Sequence, residues 1–316
     1  MVVDEVQRLP ALLNEVHRAI VSRELRFVLT GSSARKLRRG GTNLLGGRAL
    51  RRLMFPLTPA ELGQDFDMER ALSIGTLPLV WVHPSPEEAL AAYTQLYLKE
   101  EIQAEAIVRN LAGFARFLPI AALFHGQVLN VSNVSRDAAV SRTTVDGYLE
   151  VLEDTLLAYR LPAYEGRLRV RERKHPKLYW IDPGLVRSLK RARGPVMAEE
   201  KGPLLEGYVL MTLKAHGSVK GLPPDIYYWS PAEARLTEVD FLLVRGETKI
   251  ALEVKASVKL REEHFRGLRA IHGLPGLKRR LLVYLGGASQ KTGDGIEVWP
   301  VDKLWKTLAA RGTLGF

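Results

Sequence analysis

MVVDEVQRLPALLNEVHRAIVSRELRFVLTGSS, residues 1–33, switches between two hydrophobic periods, and that switch sets the fold class. Met1–Asp4 is an apolar run closed by an acid, and Glu5 follows directly. Leu12, Leu13, Val16, Ala19 and Ile20 then recur at helical spacing. Arg26–Leu29 reads as a second buried strand, closed by Thr30-Gly31-Ser32-Ser33. Strand, helix, strand is a parallel α/β unit, because a parallel pair needs a crossover between its strands. An acid pair at the carboxyl end of such a strand has a specific use. Asp4 can hold Mg²⁺ directly or through water, and Glu5 can orient and deprotonate a water aimed at a γ-phosphate. Thr30 or Ser32, at the tip of the next strand, is placed to sense that phosphate.

The rest of the chain is read outward from this unit. Its 316 residues suffice for two or three domains, and 46% hydrophobic with 26% charged residues fits a globular protein. No apolar run approaches the roughly 18 to 20 residues of a membrane helix, and the first residues lack the layout of a signal peptide. Cysteine is absent, which excludes disulfides and thiolate-bound zinc. These features predict a cytoplasmic protein with no membrane partner. The formal charge of +11 favours a polyanionic partner, nucleic acid first, over a merely well-solvated surface.

FPLTPAEL (Phe55–Leu62) carries a capping box, with Thr58 as N-cap, Pro59 first in the helix and Glu61 three residues after the cap. Ser85–Gln103 predicts a helix capped at Ser85, and Ala106–Gly126 a further helix stopped by glycine. Both read as a helical lid. Val131–Ala138, a tight Ala-Val-Ser turn and a helix capped by Ser141 have helix-turn-helix spacing. Arg142, Thr143 and Thr144 at the start of that second helix suit phosphate and base edges of double-stranded DNA. Leu156–Asp182 then predicts a β-ribbon whose Arg169 and Arg171, among other cations, would press on a phosphate backbone. Winged helices also serve protein contacts, so packing is the competing expectation.

The C-terminal third predicts a helix over Pro203–Gly217 with Glu206 on its first turn. A strand at Ile226–Ser230, a hairpin of Arg235–Val244 and Lys249–Lys255, a helix and a last strand follow, giving the order α-β-β-β-α-β. Glu253 and Lys255 are two apart and face the same side, and the hairpin brings Asp240 to them. Two carboxylates and a lysine on one face can bind Mg²⁺ or Mn²⁺ and activate a water against a phosphodiester, with Glu206 as an added ligand. A cross-strand ion pair is the competing reading.

EVDFLL and ALEVK resemble the PD-(D/E)XK nuclease pattern, with Asp240, Glu253 and Lys255 as its members. VVDEVQRLP, LTGSSARKL, YLKEEI, SRTTVDGYLEVLEDTLLAYRLPAY, HPKLYWIDPGL and LLEGYVL together resemble prokaryotic AAA-type ATPases with a conserved C-terminal domain of unknown function. That resemblance implies ATP and Mg²⁺ as cofactors, Asp4 and Glu5 as Walker B acids, and Thr30 and Ser32 in the sensor 1 region. It places Arg35 and Arg48 in a basic stretch near phosphate, and it implies possible oligomerisation. The sequence given starts at Walker B, so the Walker A loop does not precede it, and the chain as written is not expected to hydrolyse ATP. The expected architecture is an α/β multidomain chain. It divides into a partial P-loop NTPase sheet (1–57), a helical lid (58–104), a winged helix-turn-helix (105–182) and a restriction-endonuclease-like domain (183–316).

Overall fold

The computed structural model describes residues 1–9, 11–31, 49–50, 52–97, 110–165, 175–220, 223–231 and 237–316. It is a mixed α/β structure with several sheets. Near the start, β1 (Val2–Val3) and β2 (Val28–Leu29) pair in parallel around the helix α1 (Leu12–Arg23), whose Leu13 and Val16 are buried. The strands are shorter than predicted. The chain bends at Asp4, Glu5 takes a left-handed φ of 53°, and a 3₁₀ turn follows at Val6–Arg8. The Val6 N–H then donates to the Thr30 carbonyl at 3.0 Å, so the bend still ends against the tip of β2.

The Thr58 capping box forms at the start of α2 (Pro59–Leu62): Thr58 N–H donates to Glu61 Oε2 at 2.8 Å, and Glu61 N–H to Thr58 Oγ1 at 3.4 Å. The helices α3 (Met68–Ile74), α4 (Pro78–Trp81) and α5 (Pro86–Ala92) follow. Two expectations change here. Ser85 occupies the N-cap position of α5, but its hydroxyl makes no cap bond, and its N–H is taken by His83 Nδ1 at 3.0 Å. The helix also gives way to a π-helical turn at Tyr93–Tyr97 instead of continuing regularly. The next described helix, α6 (Leu111–Leu123), follows Asn110, whose side chain accepts the Gly113 N–H at 2.8 Å, while the predicted start at Ala106 lies outside the described residues. The asparagine thereby satisfies an orphan N–H of the first turn.

A three-stranded sheet of order β3-β5-β4 frames the middle of the chain: β3 (Gln127–Val128), β4 (Ala158–Leu161) and β5 (Lys177–Trp180). Between β3 and β4 lie α7 (Val131–Ala138) and α8 (Arg142–Asp154), joined by a short turn. Asp182 caps α9 (Pro183–Leu189), accepting the Leu185 N–H at 3.0 Å and the Thr76 N–H at 2.7 Å. It thereby ties α9 to the end of α3. A side chain at Gly75 would collide with the Asp182 carboxylate, and one at Gly184 with the Ile74 carbonyl.

α10 (Ala198–Lys220) is longer than predicted. The sequence predicts a start at Pro203, a residue favoured in first turns, yet Pro203 lies inside the helix and Glu206 is therefore not on its first turn. A six-stranded sheet of order β10-β11-β9-β8-β7-β6 follows, built from β6 (Asp225–Trp229), β7 (Val239–Arg245), β8 (Thr248–Lys255), β9 (Leu277–Tyr284), β10 (Gln290–Lys291) and β11 (Glu297–Pro300). β6, β7 and β8 are antiparallel neighbours, whereas β8, β9 and β11 run parallel. The β7–β8 turn is two residues, Gly246-Glu247, with positive φ at Gly246 alone, as a type II′ turn requires. The helix predicted around residues 261–273 is broken into 3₁₀ turns flanking the short α11 (Arg266–Ala270). There Gly267 packs directly on the Glu238 carbonyl, a contact no side chain would permit. α12 (Val301–Arg311) closes the domain.

Alternation along β7, β8 and β9 sends Phe241, Leu243, Ile250, Leu252, Leu281 and Val283 into one core, and Leu242, Ala251 and Leu282 into another. The first core runs without a break from Ala71 on α3 through α6, α8, β5 and α10 to Leu314.

Candidate functional site

The β7–β8 hairpin opens at the end away from its turn. Its last registered pair is Phe241 with Leu252, and Asp240 and Glu253 stand one step beyond. Asp240 Oδ2 there accepts the Val254 N–H at 2.7 Å, a bond from side chain to the opposite strand. Asp240 and Glu253 are 3% and 5% exposed. Lys255 Nζ reaches back to Glu253 Oε1 at 2.5 Å, while Glu253 Oε2 is buried and has no hydrogen-bond partner.

Three further side chains complete the cluster, two of them from β5. Lys177, 3% exposed, pairs with Glu238 and lies 5.5 Å from the centre of the Tyr228 ring. Tyr179 donates its hydroxyl to Glu206 Oε2 at 3.1 Å. Glu206 is half-buried as a residue, but its carboxyl lies among the cluster. The structure thus brings Glu206, Asp240, Glu253 and Lys255 together, and adds Lys177, Tyr179 and Glu238, which sequence reading missed. Glu238 carried a signal, since it stands two before Asp240 and so shares its side of the strand. Lys177 carried a weaker one: a lone cation opening the otherwise apolar KLYW.

Electrostatics follow from burial and crowding. Burial, then the charge of Asp240, pushes Glu206 up to about 8 against the pull of Lys177 and Lys255. Glu253 is raised well above the carboxylate range by burial and Asp240, and Glu238 is raised mainly by burial. Burial works against the Lys177 ammonium, but Glu206, Glu238 and Asp240 together outweigh it and hold the amine charged. Lys255 is held charged in the same way by Asp240 and Glu253. Four carboxyl groups therefore face two ammonium groups. Among the described residues, no three His, Asp or Glu side chains are placed to share one metal ion in this conformation. The metal set predicted from Glu206, Asp240 and Glu253 is therefore not arranged as a ligand group; lysines stand among the carboxyl groups instead.

The remaining sites are simpler. Asp4 Oδ1 accepts both the Thr30 hydroxyl and the Glu5 N–H, the latter at 3.1 Å, so Asp4 and Thr30 do meet at the strand tips. Glu5 forms an exposed ion pair with Arg8 at 3.6 Å. Ser32, Arg35 and Arg48 lie outside the described residues, as do Arg169 and Arg171. At the start of α8, Arg142 and Thr143 are exposed, but the Thr143 and Thr144 hydroxyls turn to the Ser141 cap at 2.9 and 2.7 Å. Asp146 and Glu150 are exposed farther along the same helix. No helix among the described residues is long and apolar enough to cross a membrane.

Comparison with known proteins divides the chain into three matches. Residues 1–63 match an AAA domain. Residues 65–195 match one domain of unknown function, DUF8612, and residues 201–304 another, DUF4143. Uncharacterized proteins of Mycobacterium bovis and Mycobacterium tuberculosis are each 27% identical over 315 residues, covering 96% of this chain and 69% of their own length. An uncharacterized protein of Haemophilus influenzae is 24% identical, over 94% of this chain and 74% of its own. The crystal structure of protein VC1899 from Vibrio cholerae aligns with 96% of this chain and 79% of its own, at 14% identity and a TM-score of 0.28, too distant to carry an argument. The AAA and C-terminal matches support an AAA-type ATPase-like protein.

Proposed function

We propose that this chain joins an AAA-type ATP-binding module to a C-terminal domain of the restriction-endonuclease-like class, which cleaves double-stranded DNA with Mg²⁺ or Mn²⁺. The observation that carries the reading is the open end of the β7–β8 hairpin, where Asp240, Glu253 and Lys255 meet Glu206 from α10. A buried carboxyl oxygen without a hydrogen-bond partner is costly, and Glu253 Oε2 is such an atom. It fits a cation ligand better than a purely structural ion pair, in which both oxygens would be satisfied. Asp240 and Glu253 would hold the ion, with Glu206 beside them. The bound ion would lower the pKa of a water and stabilise charge on a phosphate oxygen. Lys255, held by Glu253, would orient that water. In the same reading Asp4 and Glu5 serve the Mg²⁺ and water of ATP, Thr30 senses the phosphate, and Arg142 contacts the DNA backbone.

The test is nicking of supercoiled plasmid in Mg²⁺ or Mn²⁺, with Asp240→Asn as control. Cleavage by the wild type and its loss in the variant are expected; equal cleavage by both, or none by either, rejects the reading. One observation favours a second reading, a non-catalytic adaptor: the cluster already contains two lysines and lies beneath β5. Absence of cleavage in both proteins would favour that adaptor.

A further inference from the structure

We propose that Lys177 is an internal counter-cation that occupies the carboxylate cluster in place of a divalent metal, so that metal enters only when Lys177 withdraws. The inference rests on the reading of Asp240 and Glu253 as metal ligands, but not on DNA cleavage.

Lys177 does not belong to the domain that carries the carboxylates. It comes from β5 of the three-stranded sheet, and its amine is nearly fully buried. Side chains two apart on a strand share a face, and on β5 these are Lys177 and Tyr179. The first pairs with Glu238 and the second donates to Glu206, the two carboxylates that flank Asp240. One face of one strand therefore supplies both an ammonium and a hydroxyl to a cluster on the neighbouring domain. The same seam is held by the Tyr228 N–H on the Pro162 carbonyl at 3.0 Å, the Tyr164 N–H on the Tyr228 carbonyl at 2.8 Å, and the Tyr228 hydroxyl on the His175 carbonyl.

A divalent ion beside Asp240 would meet the positive charge of Lys177, which the same carboxylates attract. An ammonium and a metal compete there for the same carboxylates, so the charge of one weakens the hold on the other. A purely structural lysine would be indifferent to added metal. A counter-cation makes metal affinity depend on its own charge.

Mn²⁺ binding, measured by electron paramagnetic resonance of the free ion and by titration calorimetry, separates these cases. Lys177→Gln is one atom shorter but retains an N–H donor for Glu238 while removing the charge. It should bind Mn²⁺ about tenfold tighter or more than the wild type. Lys177→Arg should stay as weak as the wild type, and Asp240→Asn in the Lys177→Gln background should abolish the gain. Circular dichroism establishes that each variant is folded, and Lys177→Met serves as a second neutral variant should Lys177→Gln not fold. Mn²⁺ affinity of the neutral variants equal to that of the wild type, or a gain that survives Asp240→Asn, overturns the proposal. Tightened Mn²⁺ binding without plasmid cleavage would sink the nuclease reading and leave this one standing. Cleavage by the wild type with Mn²⁺ affinity indifferent to Lys177 would do the reverse.

Discussion

His125 is fully enclosed. Its Nδ1 accepts the Trp180 N–H at 3.1 Å, and its Nε2 donates to the Pro203 carbonyl at 3.0 Å, an arrangement that requires the neutral ring. Burial lowers its pKa from 6.5 to about 3, with Lys190 adding to the effect. Because the folded value lies below the unfolded one, its contribution to stability is complete above pH 6.5 and is lost as pH falls toward 3. The full loss amounts to roughly 4–5 kcal/mol. Melting curves of the wild type and His125→Gln between pH 3 and 7 should show a much shallower acid limb for the variant. Gly207 depends on the same ring, since a Cβ there would stand 2.5 Å from His125 Cε1. Gly207→Ala should therefore lose stability despite a better helix propensity, by roughly 1–3 kcal/mol on urea denaturation. Ala139 gives the opposite case. It holds φ 52°, ψ 49° between α7 and α8, a left-handed conformation that disfavours a side chain. Ala139→Gly should gain about 1 kcal/mol, and a lower urea midpoint for that variant would refute the account of the turn.

Elements with a strong local signal were legible. α8 stands where the cap at Ser141 puts it, with α7 before it as expected, and β7 and β8 stand where apolar alternation and Gly246 put them. What was not legible depends on partners distant in sequence. The helix around residues 261–273 reads as continuous by period but breaks where Gly267 meets Glu238. Likewise Asp240 and Glu253 could be paired from hairpin arithmetic alone, whereas Lys177 joins them through a contact spanning 61 residues. The DNA-reading role given to α8 is weakened by its own charge pattern. Arg142 is exposed at its start, but Asp146 and Glu150 are exposed beyond it and would face phosphates if the helix entered a groove. If α8 does enter one, Asp146→Asn with Glu150→Gln should tighten duplex binding at low salt, and Arg142→Ala should loosen it, in fluorescence anisotropy. If none of these changes moves the affinity, α8 is a packing element.

The unbroken core from Ala71 to Leu314 makes the central helices, the three-stranded sheet and the C-terminal domain one stability unit, so its buried titratable groups act on a common equilibrium. His125 and Glu206 pull that equilibrium in opposite directions. Glu206 is raised from 4.5 to about 8, chiefly by burial and then by Asp240. A carboxyl whose folded pKa lies above its unfolded one contributes stability that is complete below pH 4.5 and lost as pH rises through 8. Acid therefore weakens the protein through the His125 ring, and alkali weakens it by forcing a charge onto Glu206 beside Asp240. Stability should peak between these limits, near pH 5 to 7, although the formal charge of +11 would place the isoelectric point far above that range. Thermal melts in a chelating buffer from pH 4 to 9 test this. Glu206→Gln, which keeps the Tyr179 hydrogen bond but cannot ionise, should remove most of the fall above pH 7 and leave the acid limb unchanged. A wild-type melting temperature that keeps rising to pH 9, or an alkaline limb unaltered by Glu206→Gln, would show that the cluster accommodates the Glu206 charge without cost.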